Sequence, residues 1–122
     1  MKTEAIQPKI ISNYNRLSKM AHIPSKNGVH NVWGIEYKDK KTSGFANRLG
    51  VVETGRSSVK INGDKIQLQN KPVLSTWKDT LKNINTILEN MIKNFNNRDV
   101  VTKTFVNIHS FPEDKINKII QA

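Results

Sequence analysis

The sequence predicts an α+β domain. In it, a small antiparallel sheet of about four or five strands packs against one long amphipathic helix, and further helices lie at both termini. Residues 59–68 alternate apolar and polar side chains around an Asn-Gly pair, which is typical of a β-hairpin. Residues 77–95 carry an apolar residue at every third or fourth position, which is typical of a helix that covers a sheet. The chain is short and has no linker-like or repeated segment, so residues 1–122 are predicted to form a single domain.

Residues 8–20 are predicted to form the N-terminal helix. Ile6, Ile10, Tyr14 and Leu17 follow one another at helical spacing, so they share one face. The helix is expected to end before Pro24 and the polar residues that follow it.

Two strands are predicted after this helix. Residues 29–38 have Trp33, Ile35 and Tyr37 at alternating positions, which places these three side chains on one face and indicates a core role for them. A second, less regular strand is predicted around residues 45–54.

The hairpin prediction rests on Asn62 and Gly63, because a tight turn needs a positive φ and these two residues supply it. The four apolar residues of the hairpin share one face whether its loop has two or four residues. These residues are Val59, Ile61, Ile66 and Leu68. Lys60 then lies on the opposite face, and Lys65 joins it only if the loop is short.

The long helix is predicted over residues 75–95, with Ser75 or Thr76 as its N-cap. Its apolar stripe fits either a fully internal role or a partial role in a dimer. A buried β-branched strand is predicted over residues 100–108. A last helix is predicted to begin at Ser110, where Ser-x-x-Glu has the spacing of a capping box.

The charge balance indicates a polyanionic partner. Twenty Lys and Arg residues against ten Asp and Glu give a formal net charge of +10, and for a small protein this favours nucleic acid. The chain has no cysteine, which excludes disulfides and cysteine-based zinc sites. No apolar run approaches the roughly 18 residues of a membrane-spanning helix. We therefore expect a cytoplasmic protein with no cofactor, no metal and no membrane partner.

The candidate nucleic-acid contacts are concentrated between residues 38 and 65, on the predicted strands and their turns. Strand faces and turns can reach bases and phosphates, and arginine binds both in bidentate fashion. The predicted contacts are Lys38, Lys40, Lys41, Arg48, Arg56, Lys60 and Lys65. The preferred hypothesis is a non-enzymatic accessory or regulatory protein of a phage or mobile element that binds DNA or RNA through these residues.

Two alternatives stay open. The first is a small inhibitor or adaptor that binds another protein, for example a phage-encoded protein acting on a partner that handles nucleic acid. The second is a small ribonuclease toxin, in which His30 and His109 would act as general base and acid. Arg48, Arg56 or Lys103 would then stabilise the developing charge.

Overall fold

The computed structural model describes residues 6–21 and 32–105. Within them the fold is α+β, as predicted, with two helices and six strands. The elements are α1 (Ile6–Met20), β1 (Val32–Lys38), β2 (Ser43–Asn47), β3 (Val51–Thr54), β4 (Ser57–Asn62), β5 (Lys65–Asn70), α2 (Trp77–Lys93) and β6 (Val100–Phe105). The predicted C-terminal helix lies outside the described residues, as do the outer ends of the predicted strands 29–38 and 100–108.

The sheet is antiparallel throughout, with strand order β5-β4-β3-β2-β1-β6. Its six strands exceed the four or five expected, because residues 45–54 belong to two strands joined by the turn at 48–50. Gly50 makes this turn with a φ of +85°, and a Cβ there would collide with the carbonyl oxygen of Ile61. The strand predicted over residues 100–108 corresponds to β6, which lies at an edge of the described sheet; Val100 is buried there and Val101 is 48% exposed.

The predicted hairpin is confirmed as β4–β5. Asn62 pairs with Lys65, so the loop has two residues, and Gly63 occupies its first position with a φ of +63°. The partners Val59–Leu68 and Ile61–Ile66 confirm the shared apolar face of the hairpin. The short loop also places Lys60 and Lys65 together on the other face.

A layer of two helices, rather than one, covers the sheet. α2 contacts each of β1 to β4, and Thr76 is its N-cap, whose hydroxyl oxygen accepts the Asp79 N–H at 3.1 Å. α1 packs beside α2, where Asn13 contacts Asn85. Seven residues further along each helix, Met20 and Ile92 border the same concavity. The two helices therefore run in the same direction.

The core lies between this helix layer and the sheet. Ile35, Ala46, Val52 and Val59 are paired in turn from β1 to β4, and all four are fully buried. They form a continuous apolar row beneath the helices. Trp33 and Tyr37 lie on the same face as Ile35 and are also buried, so the predicted core role of these aromatics is confirmed. On the other side of the core, α2 buries Ile84, Ile87, Leu88 and Met91.

In an antiparallel meander, successive connections lie alternately at one end of the strands and at the other. The two sets of connections form two rims of the molecule. The connector rim comprises residues 38–42, 55–56, 70–71 and 94–99. The α1 rim comprises the turns at 48–50 and 63–64 together with the adjoining part of α1. No helix in the described part of the chain has the length and apolar character needed to cross a membrane.

Candidate nucleic-acid interface

The structure separates the seven predicted contacts into three groups. On the connector rim are Lys38, Lys40, Lys41 and Arg56. Arg48 and Lys65 belong to the opposite, α1 rim, on the β2–β3 turn and at the start of β5. Lys60 lies in the middle of β4. The seven residues therefore do not form one surface.

Lys60 is 2% exposed, although its strand position places it on the sheet face away from the helices. Ser58, two residues earlier on the same face, is also buried. An ammonium group this inaccessible does not meet a phosphate backbone at the surface. Lys60 is therefore left out of the candidate interface.

The connector rim has mixed charge. Lys38 Nζ lies 3.0 Å from a Glu36 carboxylate oxygen, and the Asp39 carboxylate accepts the Lys41 N–H at 3.3 Å. That backbone hydrogen bond lowers the pKa of Asp39, which keeps the carboxylate charged beside the lysines of this turn. Glu36 and Glu53 also border an open concavity of about 700 Å³ at this rim. Its positive charges are therefore partly offset by neighbouring carboxylates.

The α1 rim is more uniformly basic. Arg16 and Lys19 line an open concavity of about 600 Å³ that also involves Asp64 of the hairpin turn. Asp64 is the one acidic residue among the described residues that line it. The exposed basic residues of this rim are Arg16, Lys19, Arg48 and Lys65. Lys65 projects from the sheet face opposite α1, so these charges extend around the rim.

The turn that carries Arg48 is held by hydrogen bonds to α1, to β1 and within the turn itself. The Tyr14 hydroxyl donates to the Asn47 carbonyl oxygen at 2.5 Å, and Asn47 Oδ1 accepts the Leu49 N–H at 2.9 Å. The backbone N–H of Arg48 donates to the Trp33 carbonyl oxygen at 3.0 Å. These bonds fix where the Arg48 side chain leaves the backbone, which limits the entropy lost when it binds a ligand.

Tyr14 links the core to this rim. Burial raises the pKa of its phenol, and the positive charge of nearby Arg48 opposes that rise. Arg48 directly follows Asn47, whose carbonyl oxygen accepts the Tyr14 hydroxyl, so the backbone of Arg48 lies beside the middle of α1. Arg48 and the α1 cations Arg16 and Lys19 therefore belong to the same rim of the molecule.

Sequence reasoning missed Arg16 and Lys19. Both lie off the apolar stripe of α1, so their exposure was predictable, and Arg16 and Lys19 are indeed exposed. Their proximity to the β4–β5 hairpin was not predictable, because nothing in the local pattern indicates which end of the sheet α1 crosses.

The described residues carry no cluster of metal-ligating side chains. They contain no group of three or more His, Cys, Asp or Glu side chains that could hold a metal ion. His30 and His109 lie outside the described residues, so their convergence stays a prediction. Chemically, the α1 rim can present exposed guanidinium and ammonium groups to an anionic ligand.

No family model matches the chain, and no match was found among curated proteins or solved structures.

Proposed function

We propose that this chain is a non-enzymatic nucleic-acid-binding protein, with an accessory or regulatory role, that contacts the phosphate backbone through the α1 rim. One observation carries the proposal. Three separate segments bring Arg16, Lys19, Arg48 and Lys65 to one rim, where Asp64 is the acidic neighbour at the lined concavity. The net charge of +10 supports the same partner class.

The expected binding is dominated by phosphate contacts. Each phosphate that a Lys or Arg neutralises releases condensed counterions, so affinity falls as salt rises. Arg16 and Arg48 can bind phosphate oxygens in bidentate fashion, whereas Lys19 and Lys65 act as point charges. Ser12 and Asn15 lie in the same concavity and can add neutral hydrogen bonds to the ligand.

The test compares two variants of equal charge. One variant removes the α1-rim cations, as R16Q, K19Q, R48Q and K65Q. The matched control removes four exposed cations of the connector rim, as K40Q, K41Q, R56Q and R98Q. Both variants lower the formal net charge from +10 by four, to +6. Thermal melts of both confirm that they fold.

The readout is fluorescence anisotropy with duplex DNA, single-stranded DNA and RNA over a series of salt concentrations. The α1-rim variant is expected to reduce the slope of log affinity against log salt by about 3 to 4 on duplex DNA. The control is expected to keep most of the wild-type slope. Equal losses in the two variants would show that net charge alone drives binding. A larger loss in the control would place the interface at the connector rim.

A further inference from the structure

The connection between β5 and α2 exposes two large aliphatic side chains. Val73 is 94% exposed and Leu74 is 98% exposed. Leu68, on the neighbouring strand β5, is 39% exposed. These are three of the five large apolar side chains that the described residues leave exposed. The three lie within seven residues of one another in sequence, and exposed apolar residues that gather at a surface commonly mark an interaction site.

The same region contains a sheet edge. β5 pairs with β4 on one side and is the terminal strand of the described sheet on the other. All but one of its residues are exposed, and none is a proline. An edge of this kind can accept an additional strand through its outward N–H and C=O groups.

The charge around this edge indicates which kind of partner would bind to it. Residues 65–78 contain Lys65, Lys71 and Lys78 and no Asp or Glu, whereas Asp64 and Asp79 flank this range, so Lys71 is the lysine farthest from a carboxylate in sequence. Lys71 Nζ lies 5.6 Å from the centroid of the Trp77 ring, so its charge lies at the start of α2. A second copy of this chain would bring the same lysines together across a twofold axis. A partner with carboxylates would complement them.

We propose that β5 and residues 71–76, together the β5 docking edge, bind an extended acidic segment of a partner protein as an added strand. Main-chain hydrogen bonds between β5 and the added strand fix the register of that strand. Apolar side chains of the segment cover Val73 and Leu74, and its carboxylates pair with Lys71 and Lys78. This surface shares only Lys65, the first residue of β5, with the proposed phosphate contacts of the α1 rim.

The test uses a random peptide library displayed on phage and selected against the immobilised full chain at physiological salt. Selected peptides are expected to alternate apolar residues and to carry several carboxylates. Their affinity, measured by titration calorimetry, is expected to fall at least about tenfold in the V73S/L74S variant, in line with two lost hydrophobic contacts. The K71Q/K78Q variant is expected to weaken the same peptides and to flatten their salt dependence.

The matched control is Val101→Ser, which removes an exposed apolar side chain at the opposite edge of the sheet. It is expected to leave peptide affinity unchanged. DNA binding is measured on the same V73S/L74S protein and is expected to be retained, so failure of the docking edge is distinguishable from failure of the nucleic-acid proposal.

Three outcomes would overturn the proposal. One is a selection whose peptides bind the wild-type chain and V73S/L74S equally well. Another is a dimer seen by sedimentation velocity that V73S/L74S dissociates, which would make the occupant a second copy. The third is binding to vesicles of phosphatidylcholine and phosphatidylglycerol, but not to peptide, that depends on Val73 and Leu74. The occupant would then be a lipid surface.

Discussion

The side-chain amide nitrogen of Asn13 donates a 2.8 Å hydrogen bond to Oδ1 of Asn85, and this bond joins α1 to α2. Asn85 is only 9% exposed and lies on the face of α2 that also buries Ile84 and Leu88. Aliphatic contacts between two helices tolerate sliding, whereas a directional bond between two partly buried amides does not. The pair therefore fixes the axial position of α1, and with it the place of Arg16 relative to the sheet.

The Asn13–Asn85 bond is expected to show coupling between its two residues. Asn85→Ala should lower the free energy of unfolding by about 1 to 2 kcal/mol, because it leaves a part-buried amide without its partner. Asn13→Ala should cost at least as much, because it leaves the more deeply buried amide of Asn85 without this partner. The double variant should cost less than the sum of the single variants. Urea unfolding of the four proteins gives the coupling energy, and strictly additive losses would contradict a direct role for the bond.

Gly44 sets the approach of α2 to the sheet. A Cβ at this position would overlap Cγ2 of Ile87 and press on the Glu53 carbonyl oxygen. Gly44→Ala is therefore expected to destabilise the protein by about 1 to 3 kcal/mol through overpacking. In an Ile87→Ala background, which is itself destabilised by a cavity, the same change should cost clearly less. Thermal unfolding of the double-mutant cycle measures this, and an equal cost in both backgrounds would exclude the clash as its cause.

Tyr14 gives a pH-dependent prediction. Burial raises the pKa of its phenol above the ordinary value of 10.0, so the neutral form is favoured in the folded protein. The corresponding stabilisation is fully present below pH 10 and is lost as the pH rises through the folded pKa. Tyr14→Phe should cost about 1 kcal/mol at neutral pH, because it removes the hydrogen bond to the Asn47 carbonyl oxygen.

Above pH 10 the gap in stability between wild type and Tyr14→Phe should narrow, because the phenylalanine variant has no phenol to ionise at this position. Denaturant melts at a series of alkaline pH values measure the gap. Tyr37 titrates in both proteins and cancels from the comparison. A gap that stays constant or widens as the pH rises would contradict the burial of the Tyr14 phenol.

Thr80 carries a fully buried hydroxyl for which the described structure shows no hydrogen-bond partner. Replacing it by the similarly shaped valine removes a desolvated polar atom without opening a cavity. Thr80→Val is therefore expected to keep or raise stability, by up to about 1 kcal/mol. Thr80→Ser is the control, because it keeps the hydroxyl and loses a methyl group, and it should be destabilising. A clear loss of stability in Thr80→Val would show that the hydroxyl has a partner.

Much of the fold was predictable because its signals are local. The apolar stripes of α1 and α2, the N-cap at Thr76 and the tight turn at Gly63 each depend on residues within a few positions of one another. The sixth strand was missed because the β2–β3 turn is marked by little more than Gly50, within a stretch rich in strand-forming residues. The geometry that requires glycine there is the approach of Ile61, which is eleven residues away.

The candidate site was predictable only in part, because it depends on which rim each residue occupies. Residues close in sequence, such as Lys41 and Arg48, lie at opposite ends of β2 and therefore on different rims. Residues distant in sequence, such as Arg16 and Asp64, border one concavity. Burial of Lys60 also depends on tertiary packing, since an alternating strand pattern predicts a lysine at that position to be exposed.

The uncharged side chain of Asn47 holds the β2–β3 turn in place. Its Oδ1 accepts the Leu49 N–H, and its carbonyl oxygen accepts the Tyr14 hydroxyl. Asn47→Ala should loosen the turn that presents Arg48 while leaving the net charge at +10. If Arg48 contacts a phosphate, this variant should weaken DNA binding severalfold.

Arg48→Gln is the comparison for this prediction, and it should reduce the salt slope by about one phosphate contact, close to 0.9. If Asn47 acts by positioning Arg48, Asn47→Ala should weaken binding in the wild-type background and have little further effect in the Arg48→Gln background. Anisotropy titrations of the four proteins measure the coupling. Equal effects of Asn47→Ala in both backgrounds would mean that the turn contributes to binding independently of Arg48, and wild-type affinity in a folded Asn47→Ala would remove the turn from the interface.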